Sequence, residues 1–484
     1  MFRTTCVWLL ALTGWTTLPS AVQAETPNIV LILADDMGYG DPGCYGGKLM
    51  RTPHLDRLAR EGLRFTDAHS PSAVCTPTRY GLMTGRYCWR TRLQRGVLVG
   101  DSPALIERDR LTIASLLKAK GYATAVVGKW HLGLGSDTQT DFSQPLRPGP
   151  LDTGFDQFFG IPASLDMVPY VLVQNDRVLA LPTAQSEKSP KSNYFDGVFW
   201  REGPAAPGFR HREVLPELTR RAEQFLLQQS ADRRFFLYFP LTSPHTPWVP
   251  TDEFLKSTPL GEYGDFVTQT DAAVGRVLAA LESRQLLDKT LVIFTSDNGA
   301  IPLPEPYAAS GHKPNGDWRG QKGDCWEAGH RVPYLVRWPG HTPAGQTCDQ
   351  TICHTDFLAT FAAIVDHPLA DDAAEDSYNL LPLYRGQSVP EPIREATVFH
   401  SADGAFAIRK GNWKAILHLG SGGFSQPKQE AAKPGGPTGQ LYDLAADPAE
   451  TQNLWQERPT IVAELSTLLR QYRESGRSRP RQSP

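Results

Sequence analysis

Asn28-Ile29-Val30-Leu31-Ile32-Leu33-Ala34-Asp35-Asp36 is an unbroken apolar run that ends on two carboxylates. A run of this length, rich in branched residues and without polar alternation, reads as a strand buried on both faces. Similar runs recur at residues 123–127, 235–241, 291–295 and 334–338. Between them, apolar residues at helical spacing predict helices over 54–61, 112–120, 213–229 and 266–284. Apolar strands separated by amphipathic helices predict an α/β fold: a large, mostly parallel sheet sandwiched by helices, over residues 25–370. Beyond residue 370 the texture changes. An acidic stretch at 371–376, a hairpin pattern at 405–416 and a Gly/Pro/Ser-rich loop at 420–439 follow. A last helical pattern carries Ile461, Leu465, Leu468 and Tyr472 on one face. Residues 371–484 are thus expected to form a smaller C-terminal α+β subdomain with an antiparallel sheet and a final helix.

The reactive side chains sit at the ends of the apolar runs. Asp35 and Asp36 follow the first, Lys129 and His131 the second, His245 the third, and Asp297 and Asn298 the fourth. Open α/β sheets bind ligands outside the carboxyl ends of their strands, so these residues are expected to share one pocket. Three carboxylates and an amide form an all-oxygen set, suited to Ca²⁺ or Mg²⁺ rather than zinc. The plainer reading of each pair alone is a helix cap or a turn.

The chain has 484 residues, 40% of them hydrophobic, and a net charge of -3. With no dense Lys/Arg run, nucleic acid and anionic membrane are not expected partners. Residues 1–24 read as a signal peptide: Arg3, an apolar stretch at 7–12, and Val22-Gln23-Ala24 as the cleavage site. No later segment approaches the roughly 20 apolar residues of a membrane span. The expected location is periplasmic or secreted. Cys6 leaves with the leader; among the remaining cysteines, Cys348 and Cys353 are near enough in sequence for a local disulfide, with connectivity open. No Asn-x-Ser/Thr sequon is present, which favours a bacterial source.

Cys75-Thr76-Pro77-Thr78-Arg79, extended through Leu82-Met83-Thr84-Gly85-Arg86, resembles the signature of the type I sulfatases. Further pieces fall in the same order: Ala34 to Asp41, Gly128-Lys129-Trp130-His131, Gly154-Phe155-Asp156, Ser243-Pro244-His245-Thr246-Pro247, Ser296-Asp297-Asn298-Gly299 and Arg319-Gly320-Gln321-Lys322-Gly323. The mature chain thus resembles the arylsulfatase-like branch of the alkaline phosphatase superfamily, which implies that superfamily's fold. The resemblance also implies that a formylglycine-generating enzyme oxidises Cys75 to formylglycine. The hydrated aldehyde would attack sulfate monoesters, through a covalent sulfoenzyme, with sulfated carbohydrate as the expected substrate.

Further roles follow from the same resemblance. Calcium, in preference to Mg²⁺, would be held by Asp35, Asp36, Asp297, Asn298 and the modified Cys75. Arg79 would steady the hydrate and His131 take its proton. Lys129 and Lys322 would grip sulfate, and His245 would protonate the leaving alcohol. Ser164 resembles a serine near the sulfate in some arylsulfatases, and His312, with Lys313 and Asp317, is placed to line a substrate subsite. Tyr87 to Arg92 and the insertion 170–212 are candidates for shaping specificity. Thr78, Tyr80 and Gly81 depart from the commoner pattern; conversion depends chiefly on Cys75, Pro77 and Arg79 and is expected to survive, with Thr78 the departure that bears on the modifying enzyme. Two other readings remain: a phosphate or phosphonate ester hydrolase of the same superfamily, and an unmodified pseudoenzyme that binds sulfated glycans without cleaving them.

Overall fold

The computed structural model describes Phe2 and residues 26–136 and 138–481; the leader-like segment 1–24 otherwise lies outside the described residues. Ten strands form one sheet. Its order is Gln346–Cys348, Leu63–Phe65, Tyr334–Arg337, Thr290–Ser296, Asn28–Asp35, Phe235–Pro244, Ala123–Lys129, Gln157–Ile161, Val173–Gln174, Arg177–Val178. The five strands from Thr290–Ser296 to Gln157–Ile161 run parallel. The first of them in sequence, Asn28–Asp35, is central and buried along its whole length. Its Ile29, Leu31 and Leu33 enter one hydrophobic core, and Val30, Ile32 and Ala34 enter the other. That alternation is why the run carries no polar face.

Helices cover both sides. Pro53–Glu61, His211–Leu227 and Gly261–Ser283 pack on one face; Cys75–Thr84, Ile113–Ala119 and Phe357–Ile364 pack on the other. The predicted run at 334–338 becomes the strand Tyr334–Arg337, but it runs antiparallel, with Thr295 opposite Tyr334 and Val292 opposite Arg337. The connection from Ser296 stays at the carboxyl end of the sheet, so the chain re-enters from that end and must run backwards.

A second, four-stranded antiparallel sheet is formed by Thr397–His400, Phe406–Lys410, Trp413–Ile416 and Gln440–Asp443. The final helix, Pro459–Glu474, lays Leu465, Leu468, Leu469 and Tyr472 against Val398, Ile408, Ala415 and Leu441. From the aromatic and basic stretch Tyr87 to Arg92, Tyr87 and Trp89 belong to this core. Tyr87 and Trp89 stack on each other inside it, and Arg90 pairs with Asp376 at 2.8 Å. Those contacts give Tyr87, Trp89 and Arg90 a structural role.

A buried ionic cluster joins the two sheets. Lys414 Nζ lies 3.1 Å from Glu327 and 2.9 Å from Glu450. Arg331 bridges Asp67 at 2.6 Å and Glu327 at 2.8 Å, while Arg409 reaches Asp67 at 2.8 Å. His69 and His330 meet through their Nδ1 atoms at 3.0 Å, and the His330 ring stacks on Phe399. His69, Glu327 and His330 have metal-ligand spacing, but three cations already satisfy the carboxylates. Burial pushes the Glu450 carboxyl up to about 7 despite Lys414. All six cysteines of the described residues are free. Cys348 and Cys353 form no bridge: they sit in different sheets, Cys348 beside Phe65 and Cys353 beside His69.

Removing one partner of a buried ion pair leaves its carboxylates uncompensated. Lys414→Met is therefore expected to destabilise the protein by about 3 kcal/mol, read as a lower urea midpoint at unchanged slope. An unaltered midpoint would mean that the apolar contacts alone hold the second sheet in place.

Candidate active site

Register creates the centre of the site. Ala34 lies opposite Ser296 on the adjacent parallel strand, so Asp35 and Asp297 leave the sheet side by side. The Asp36 N–H donates to Asp297 Oδ1 at 3.2 Å, and the Met37 N–H to Ser296 Oγ at 2.9 Å. Asp36 and His131 both take left-handed backbone conformations, with φ of 62° and 56°. Such conformations cost on the order of 1 kcal/mol each and persist where the surroundings enforce them. Here they turn both side chains back over the strand ends.

The carboxylates are held by cations from three other segments. Arg79 points up from the wholly buried helix Cys75–Thr84. Its Nε and Nη2 donate to Asp297 Oδ2 at 3.1 and 2.7 Å, and its Nη1 donates to the Lys129 carbonyl at 3.0 Å. Lys129 Nζ binds both Asp35 oxygens, at 2.9 and 2.7 Å. Lys322 Nζ donates to Asp36 Oδ2 at 2.7 Å. Burial pushes the Asp35 carboxyl up, but Lys129, His245 and Arg79 outweigh it and hold it at about 2. Burial lowers Lys322 in turn, and Asp36 overrides that, keeping the ammonium charged.

Cys75 opens its helix, with Sγ 3.7 Å from Asp35 Oδ1. Only 2% of the residue is exposed. Burial pushes its thiol up to about 12, against the pull of Lys129 and Lys322. At neutral pH the sulfur is thus protonated, and an unmodified Cys75 is a poor nucleophile.

Each of the two histidines is anchored through one ring nitrogen. His131 Nε2 donates to the Leu98 carbonyl at 2.8 Å, which leaves Nδ1 as a lone-pair acceptor; that Nδ1 is buried with no hydrogen-bond partner among the described residues. Burial, then Lys129 and Arg79, hold His131 far below the usual histidine range, so it is neutral. His245 donates through Nδ1 to the Thr246 carbonyl and directs Nε2 toward the Tyr194 hydroxyl at 3.3 Å and Asp36 at 3.6 Å.

Donor atoms of Asp35, Asp36, Cys75 and His245 lie within 4.8 Å of one another. Asn298 donates through Nδ2 to Asp36 Oδ1 at 2.6 Å and to the Gly299 carbonyl at 2.9 Å. Its Oδ1 is buried without a hydrogen-bond partner among the described residues. Clustered carboxylates with an orphaned amide oxygen fit a hard divalent cation.

The tentative residues divide. Ser164 follows the strand Gln157–Ile161, whose Ile161 pairs with Lys129; its buried Oγ has no hydrogen-bond partner among the described residues. His312 is turned away from the core set: its Nε2 meets Asp41 at 2.9 Å, within the scaffold below the Asp36 turn. A Cβ on Gly38 would lie 2.1 Å from the Pro314 carbonyl, so the 312–315 loop and that turn are packed backbone to backbone. Lys313 pairs with exposed Asp317 at 2.7 Å. Tyr194, which no motif singled out, reaches both Lys322 and His245.

Cations gathered about a helix N-terminus, with one imidazole fixed as acceptor and another free at Nε2, equip a protein to hydrolyse an anionic ester. On this sheet, they define a hydrolase of the alkaline phosphatase superfamily. Within it the chain belongs to the sulfatase family, whose model matches residues 27–367. It is a sulfuric ester hydrolase. It is 36% identical to an N-acetylgalactosamine-6-O-sulfatase of Bacteroides thetaiotaomicron over 92% of this chain and 93% of that one. It is 36% identical to arylsulfatase A of Homo sapiens, over 89% of this chain and 84% of that one. A solved structure concerned with the metabolism of multiple glycosaminoglycans by Bacteroides thetaiotaomicron superposes with a TM-score of 0.82, at 35% identity, over 92% of this chain and 99% of that one.

After chelation, adding Ca²⁺ is expected to raise the melting temperature by several degrees, and Asp297→Asn to abolish the rise. Identical melting with and without divalent cation would remove the metal reading of this cluster.

Proposed function

We propose that this sulfatase removes sulfate from sulfated carbohydrate, with an oxygen nucleophile made by oxidation of Cys75 to formylglycine. The observation that carries the reading is the setting of Cys75: a protonated, buried thiol at a helix N-terminus, beside Asp35 and in the field of Lys129 and Lys322. A thiol held near 12 is of little use there as sulfur. An oxygen at the same atom position would sit among cations placed for a sulfate ester. Once formed, the hydrated aldehyde supplies one hydroxyl to attack sulfur and a second whose proton must leave before sulfate is released.

This chain's own residues do the rest. Lys129 offers its ammonium group to the equatorial sulfate oxygens and Lys322 reaches the bridging oxygen, assisted by the N-terminal amides of the helix Cys75–Thr84. His245, anchored through Nδ1 on Thr246, presents Nε2 to the leaving oxygen as general acid. His131, anchored through Nε2 on Leu98, presents the Nδ1 lone pair to the second hydroxyl. Arg79 neutralises Asp297 and fixes the helix that carries position 75. Asp35, Asp36, Asp297 and Asn298, with the oxygen at position 75, would hold Ca²⁺, which supplies Lewis-acid charge where the nucleophile forms.

Charge balance favours sulfate over phosphate. Asp35, Asp36 and Asp297 are matched one for one by Arg79, Lys129 and Lys322. One dication then leaves two positive charges, enough for an ionised nucleophile and a sulfate monoester anion. A phosphate monoester dianion would exceed them, and two-metal sites serve that substrate better. The sugar assignment draws on the 6-O-sulfatase relative. The leader-like residues 1–24 support an exported enzyme that meets such polymers outside the cytoplasm.

Coexpression with a formylglycine-generating enzyme should leave the tryptic peptide 65–79 about 18 Da lighter than the thiol form, or near it as the hydrate. The product should then release sulfate from N-acetylgalactosamine 6-sulfate, and His245→Ala should slow that release by about 100-fold or more. A thiol that stays intact beside an active modifying enzyme, or a preference for phosphate esters, would sink the proposal.

A further inference from the structure

Tyr194 lies in the insertion 170–212, in the short turn Tyr194–Asp196, whose first turn is capped by the Asn193 side chain. Its hydroxyl is 3.0 Å from Lys322 Nζ and 3.3 Å from His245 Nε2. Its ring stands edge-on to the His245 ring, with centroids 5.9 Å apart and planes at 77°. The turn is tied to the segment that carries His245. The Gly197 carbonyl accepts from the Trp248 N–H at 2.8 Å and from the Thr246 hydroxyl. The tyrosine and the histidine therefore move as one unit, while Lys322 arrives from a different loop and touches both through this one oxygen.

We propose that Tyr194 is a positioning residue: it holds Lys322 and His245 aimed at a common point, the place from which the alcohol oxygen of the substrate departs. The inference rests on the sulfate-ester reading above and adds to it a residue outside every motif. A lysine side chain has four rotatable bonds and about 2 kcal/mol of rotamer entropy to lose. Asp36 fixes one of its donors and Tyr194 a second, so the direction of the ammonium is set before substrate arrives. A hydroxyl both donates and accepts, so Tyr194 can partner His245 throughout a turnover. As the S–O bond breaks, its electron pair stays on the alcohol oxygen, which takes the Nε2 proton. The bare Nε2 then accepts a hydrogen bond from the Tyr194 hydroxyl. Burial pushes that phenol well above its usual range, so the hydroxyl keeps its proton through this exchange.

Proton donation matters most when the leaving group is poor. A sugar alcohol needs its proton in the transition state, whereas 4-nitrophenolate leaves without one. Losing the hydroxyl should therefore penalise the two substrates unequally, which a purely structural role would not do.

The test compares wild-type and Tyr194→Phe enzyme, each with formylglycine content measured, on N-acetylgalactosamine 6-sulfate and on 4-nitrophenyl sulfate. Phenylalanine keeps the ring contacts. The expected result is a fall in kcat of at least about tenfold on the sugar ester with KM little changed, activity within about twofold on the aryl ester, and an unchanged melting temperature. In a His245→Ala background the same substitution should add little, because the two residues act as one unit. Equal losses on both esters, no loss on either, or full additivity with His245→Ala would overturn the inference. A wild-type enzyme that cleaves neither ester would instead overturn the sulfatase reading on which it stands, and the two failures are thereby told apart.

Discussion

Three buried carboxylates at the ends of two adjacent strands are the constraint to which this molecule answers. Parallel pairing of Asn28–Asp35 with Thr290–Ser296 puts Asp35 and Asp297 side by side, and the turn after Asp35 adds Asp36. Buried like charges are tolerable only when paired and hydrogen-bonded. Each therefore commits a partner from elsewhere: Arg79 from a helix, Lys129 from the next strand but one, Lys322 from a loop. Arg79 reaches Asp297 from within the helix of Cys75, so that pairing ties the helix to the strand ends.

The Lys322 loop shows how far this requirement spreads. The Lys322 N–H bonds to the Ala300 carbonyl at 3.1 Å, the Gly323 N–H to the Ala73 carbonyl at 2.9 Å, and the Ala402 N–H to the Gly323 carbonyl at 2.9 Å. A single stretch of backbone is thus clamped between the fourth apolar run, the approach to Cys75 and the second sheet. The ionic cluster around Lys414 and Glu327 begins only a few residues further on. The C-terminal sheet, which gives none of the core reactive groups, serves the site by fixing this loop.

How much of this could be read from sequence depends on whether a residue's neighbours are set by periodicity or by chain crossing. The central strands were legible because burial on both faces removes polar alternation, and the chemistry at their ends followed from the parallel arrangement. Direction was less legible: nothing in Tyr334 to Trp338 says that the chain returns from the carboxyl side. Cys348 and Cys353 are near in sequence yet paired into different sheets, a separation that spacing cannot reveal. Tyr87 to Arg92 reads as a candidate for shaping specificity, yet its Arg90 satisfies buried Asp376, 286 residues away. Tyr194 left no signal, since a lone aromatic in an irregular insertion acquires meaning only when Thr246 and Trp248 bind the turn that holds it.

The burial of Cys75 has a consequence for the order of events in the cell. In the folded protein the residue lies at the start of its helix against Asp35, with 2% of its surface open. A small ester's sulfate can be threaded to such a depth; another protein's catalytic apparatus cannot. Any enzyme that alters this side chain must therefore meet the segment around it as extended polypeptide, during or just after synthesis. With Cys75 oxidised as proposed, collapse of the sheet and its covering helices would close that window and set folding against modification. A chain that folded first would keep its thiol, shut away from any such enzyme.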